Sequence, residues 1–65
     1  MNDSYLERAK EKISDPRLLS IIASRRARQL ARGGRPMVKT NDQEYLDIAL
    51  LEIAEGLIEC EPGDE

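Results

Sequence analysis

The densest cluster of arginine in the chain is ASRRARQLARGGRP, residues 23–36, where Arg25, Arg26, Arg28, Arg32 and Arg35 fall with no acid among them. A guanidinium is always charged and presents a planar fork of donors that fits carboxylate and phosphate alike. The stretch is therefore an anion-gripping element whose customer is either nucleic acid or protein. Other chemistry is scarce. The chain has no histidine, the usual general base. Its single cysteine, Cys60, sits among acids that disfavour the thiolate and reads as an incidental thiol. One thiol cannot build a structural zinc site, which wants about four ligands. No glycine motif suited to phosphate is present, and Gly33-Gly34 reads as a helix stop. The acids of the C-terminal half recur at helical spacing and are expected to form a solvated face rather than a metal site. No catalytic residue, cofactor site or metal site is expected.

The elements that position these residues must fit in 65 residues, at most one domain. A chain this short usually needs a staple: disulfides, a metal or a partner. The first two are excluded by composition, so the expected staple is another protein. There is no Trp or Phe and only two Tyr, so large apolar anchors are few. The start, MNDSYLERAKEK, has no apolar export region, and no run approaches the ~20 apolar residues of a membrane span. The expected location is cytoplasmic, and the lone cysteine fits a reducing compartment.

The net charge of −3 conceals a division. All ten Lys and Arg lie in residues 3–39 against four acids, a net of +6, while residues 40–65 hold nine acids and no base, a net of −9. From Pro16 to Asn41 there is no acid at all. Such a split points to partners of opposite sign, or to halves that face each other.

The periodicity predicts an all-α fold of three helices, about residues 4–13, 16–32 and 42–55, with an extended or disordered acidic tail over 58–65. In the first helix Tyr5, Leu6, Ala9 and Ile13 share a face. Asp15 caps the second and Pro16 suits its first turn, with Gly33-Gly34 ending it. At ~100° per residue, Leu18, Leu19, Ile22, Ala23, Ala27 and Leu30 form its apolar face, and Arg17, Arg25, Arg28 and Arg32 lie opposite. Arg26 alone projects into the apolar stripe and needs an acid, such as Glu52, or a partner's carboxylate. Asn41 with Glu44 resembles a capping box for the third helix, and Gly56 is placed to end it. Leu46, Ala49, Leu50, Ile53, Ala54 and Leu57 form its main stripe. Ile48 and Leu51 project from the other side, where a chain this small offers no second core, and are expected to meet a partner.

Nucleic acid is the alternative partner for the arginines. The stacking aromatics common in single-strand binders are missing. The GGRP loop is longer than the ~3–4-residue turn of a helix-turn-helix, and the acidic half would repel phosphate. Protein binding is the favoured reading.

The run RRARQL, a Gly-rich loop and then IALLEIAEGLI resembles the omega-subunit family of bacterial RNA polymerase, with EKI at Glu11–Ile13 ahead of it in the same pattern. The similarity covers roughly residues 9–58. The matching positions are Arg25, Arg26, Ala27, Arg28, Gln29 and Leu30, then Ile48, Ala49, Leu50, Glu52, Ile53, Glu55 and Gly56. The resemblance implies a small helical, non-catalytic subunit that packs on the largest catalytic subunit, beta-prime, within an alpha2-beta-beta-prime-omega core, and helps it fold and assemble. The expected beta-prime interface draws on the family-matched Arg25, Arg26, Arg28, Gln29, Ile48 and Glu52, together with Leu51, which helical spacing turns to the same side as Ile48. Neither direct nucleic-acid contact nor homo-oligomerisation is expected, and association with the nucleoid would come through the polymerase. Some family members bind guanosine tetraphosphate through a basic N-terminal segment. This chain begins Met1-Asn2-Asp3-Ser4-Tyr5, and Asp3 would repel phosphate, so no such binding is expected.

Overall fold

The computed structural model describes residues 2–41 and 43–58. Three helices account for the regular structure among them: α1 (Asp3–Lys12), α2 (Pro16–Ala31) and α3 (Tyr45–Ala54). The predicted all-α class is observed. Each helix start has a local cause. Asn2 caps α1, its side chain accepting from the backbone N–H groups of Ser4 and Tyr5. Asp15 caps α2 by accepting from the N–H groups of Arg17 and Leu18, with Pro16 in the first turn. The third start differs from expectation. Helix α3 begins at Tyr45, and Glu44 at its N-cap makes no side-chain capping bond, so the Asn41–Glu44 capping box does not form. Tertiary packing fixes this boundary in place of local chemistry.

Both glycine stops are present. Gly33 adopts φ +103° and Gly56 φ +75°, left-handed conformations that suit residues without a Cβ. At each end the following N–H reaches back five residues, from Gly34 to the Gln29 carbonyl at 3.0 Å and from Leu57 to the Glu52 carbonyl at 3.0 Å. These are Schellman closures.

Helix α3 is the centre of the molecule. Every residue from Asp47 to Ala54 is buried. Helices α1 and α2 each pack along α3 and touch one another little. Their ties to α3 show that α1 runs in the same direction as α3: near the two N-termini the Asn2 N–H donates to Asp47 Oδ1 at 2.9 Å, and further along α1 Arg8 pairs with Glu55 at the C-cap of α3. The core cluster joins Ala9 and Ile13 of the first segment, Leu19 and Ala23 of α2, and Leu50 and Ile53 of α3. Tyr5, Leu6, Leu18, Ile22, Leu46 and Ile58 pack around it.

Three sequence expectations are corrected by this arrangement. Ile48 and Leu51 are 5% and 9% exposed, so they are part of the interior and not an apolar face open to a partner. A helix enclosed by two others and by the connector clasped to Glu52 has no solvent side along most of its length. The same enclosure buries Asp47 and Glu52, at 8% and 0%, which were expected on a solvated face. Leu57 is instead 45% exposed, because it lies beyond the Gly56 stop where helical spacing no longer predicts direction. The expected acidic tail lies outside the described residues except for Ile58, which packs on the core.

Candidate functional site

The arginine-rich element divides into an inward and an outward part. Arg26 crosses from α2 to α3. Its Nε donates to Glu52 Oε1 at 2.5 Å and its Nη2 to Glu52 Oε2 at 3.2 Å, a two-pronged charge-assisted contact. Its Nη1 donates to Gln29 Oε1 at 3.1 Å, and its Nη2 also donates to the Arg35 carbonyl at 2.9 Å. The second Glu52 oxygen accepts a further bond from the Met37 N–H at 2.7 Å. The side chains are 15% and 0% exposed. Burial of a carboxylate is tolerable only when paired and hydrogen-bonded, and here both oxygens are occupied. One ion pair thus fastens α2, α3 and the Arg35–Met37 connector together. No buried side-chain polar atom among the described residues lacks a partner.

The outward part is different. Arg17, Arg28 and Arg32 are exposed and Arg25 is half-buried, on the side of α2 away from α3. Gln29 is exposed and bridges the two parts through Arg26. Of the residues assigned from sequence to a partner interface, Arg25, Arg28 and Gln29 are accessible. Arg26 and Glu52 are joined to each other inside the fold, and Ile48 and Leu51 lie in the interior.

Sequence reasoning missed two features. Ile21 is 56% exposed in the middle of the outward arginines, and its position off the apolar stripe was the available signal. An apolar groove of about 280 Å³ also opens between α1 and α2, lined by Leu6, Leu19, Ala23, Leu46 and Leu50 with Lys10 at its edge. The groove exists because α1 and α2 pack on α3 and not on each other, which no local pattern encodes.

Among the described residues no group of three or more Cys, Asp or Glu side chains could hold a metal ion. Among the described residues no helix is long and apolar enough to cross a membrane.

Comparison with known proteins extends over this same frame. The family model described as RNA polymerase Rpb6 matches residues 11–59, which contain α2, α3 and the clasp between them. A DNA-directed RNA polymerase subunit omega from Nitratiruptor sp. is 47% identical over 53 residues, covering 78% of this chain and 76% of the relative. Omega subunits from Campylobacter concisus and Campylobacter curvus are 44% and 40% identical over 57 residues, each covering 83% of this chain and 80% of the relative. No solved structure matches. The matched span and the identity across more than three quarters of both chains place the protein: it belongs to the RNA polymerase Rpb6 family, among the omega subunits of DNA-directed RNA polymerase.

Proposed function

We propose that the chain is a non-catalytic subunit of DNA-directed RNA polymerase that promotes folding of beta-prime and its assembly into the core enzyme. The observation that carries this reading is the family match across residues 11–59, which holds the whole α2–connector–α3 unit. A structural role is supported by how the polar residues are used. Asp47, Glu52 and Arg26, the charged groups nearest the interior, are consumed in holding helices and connector together. The proposed beta-prime interface draws on the accessible residues Arg25, Arg28 and Gln29. Arg26 and Glu52 support it from within by fixing α2 against α3. The cytoplasm, with nucleoid association through the polymerase, is the corresponding location.

Two experiments test the proposal. A tagged chain expressed in its host should recover beta-prime and the remaining core subunits; recovery of no large polymerase subunit sinks it. Beta-prime refolded from urea should give more assembled core when the chain is present. Equal yields with and without it would reject the assembly role while leaving membership intact.

A further inference from the structure

Among the described residues, three acids of the C-terminal half are engaged away from the outward arginines of α2. Asp47 accepts from the Asn2 N–H, Glu52 is closed by Arg26 and Met37, and Glu55 pairs with Arg8. Among the described residues the side chains of Arg17, Arg25, Arg28 and Arg32 make no hydrogen bond or ion pair. At ~100° per residue these four share an arc of roughly 80° on α2. Ile21 stands at the centre of that arc, one turn from both Arg17 and Arg25, and is the most exposed large apolar side chain described, at 56%. Arg25 and Arg28, and Arg28 and Arg32, are like charges three and four residues apart, a spacing at which they repel. An uncovered apolar residue ringed by unpaired cations has the anatomy of an interface, with an apolar centre and a charged rim.

We propose that the face formed by Arg17, Ile21, Arg25, Arg28 and Arg32 docks an acidic protein segment bearing an apolar side chain that covers Ile21. This rests on the reading of the chain as a polymerase subunit and names the chemistry of one partner surface. Charge complementarity selects the acids, because each guanidinium fork fits a carboxylate. Ile21 selects protein over nucleic acid, since a phosphate backbone offers no apolar surface at the middle of the face. Arg17 to Arg32 span about 22 Å of helix at ~1.5 Å per residue, so the occupant is about four helical turns, or about seven extended residues.

The test uses the full chain in its polymerase, with the photoreactive residue p-benzoylphenylalanine introduced at position 21 and, as a control on α1, at position 7. Position 21 is expected to cross-link to a protein peptide in which several Asp or Glu flank an apolar residue. Combining the probe with R17Q, R25Q, R28Q and R32Q should lower that yield about tenfold, the change expected when ~1.4 kcal/mol of affinity is lost. Far-UV circular dichroism should stay unchanged, since all four side chains lie outside the core. A nuclease-sensitive product at position 21 overturns the proposal in favour of nucleic acid. A neutral or basic peptide, or an unchanged yield in the glutamine variant, also overturns it. If position 21 gives no product while the chain still co-purifies with a large polymerase subunit, the face is open and only this inference fails. If nothing co-purifies, both readings fail.

Discussion

The carboxylate of Glu52 and the guanidinium of Arg26 meet across the α2–α3 boundary, with Nε to Oε1 at 2.5 Å and Nη2 to Oε2 at 3.2 Å. The two ends of this contact differ in their options. Glu52 has no exposure at all, while the Arg26 side chain keeps 15% and has further acceptors in Gln29 and the Arg35 carbonyl.

That asymmetry predicts unequal mutants. Arg26→Met strands a buried carboxylate held only by the Met37 N–H and should destabilise the chain by about 3–5 kcal/mol. Glu52→Gln leaves a cation that can reach water along its stem and should cost about 1–3 kcal/mol. Arg26→Lys keeps the charge without the fork and should fall between them. Urea unfolding followed by circular dichroism gives the order; equal losses for Arg26→Met and Glu52→Gln would contradict it.

Arg8 and Glu55 provide a contrast, since their side chains are 45% and 46% exposed. An exposed pair is worth about 0–1 kcal/mol, so Arg8→Ala should change stability by no more than that. Its effect should disappear near 1 M salt, where the screening length is only about 3 Å, while the effect of Arg26→Met persists.

Two glycine substitutions should fail for different reasons. A Cβ on Gly34 would lie 2.9 Å from the Gln29 carbonyl oxygen, so the helix end itself must shift. A Cβ on Gly56 meets nothing within 4 Å, leaving only the left-handed backbone, at about 1–2 kcal/mol. Thermal melts should therefore show Gly34→Ala disturbing the α2 end at least as much as Gly56→Ala disturbs that of α3. A neutral Gly34→Ala would argue against the close approach.

Ile48→Ala tests the corrected interior. The residue is 5% exposed, and removing its side chain should cost the isolated chain about 2–5 kcal/mol. Were Ile48 a docking residue on an open face, the free chain would melt unchanged and only assembly would suffer.

Capping supplies the last pair of outcomes. Asp15→Ala should cost about 1 kcal/mol, because its carboxylate accepts from two orphan N–H groups. Asn41→Ala should stay within about 0.5 kcal/mol, since Asn41 is exposed and α3 starts beyond it.

The amino-acid sequence by itself determined what depends on neighbours along the chain. Helical spacing identified three helices and the faces of α1 and α2. Asp15-Pro16 set one helix start, and Gly33 and Gly56 set two ends, because caps and left-handed turns are local chemistry. It also marked Arg26 as a charge turned toward the interior, with Glu52 among its possible partners, and the RRARQL and IALLEIAEGLI runs carried the family. Tertiary structure decided what depends on which helix is enclosed. Helix α3 is covered from several sides, so Ile48, Leu51 and Asp47 are interior despite pointing away from its main stripe, and its start needs no capping side chain. The same placement leaves a groove between α1 and α2 and, among the described residues, leaves the outward arginines of α2 without acids to meet. Spacing along one helix reports direction about that helix's own axis, whereas burial depends on what the rest of the chain lays against it.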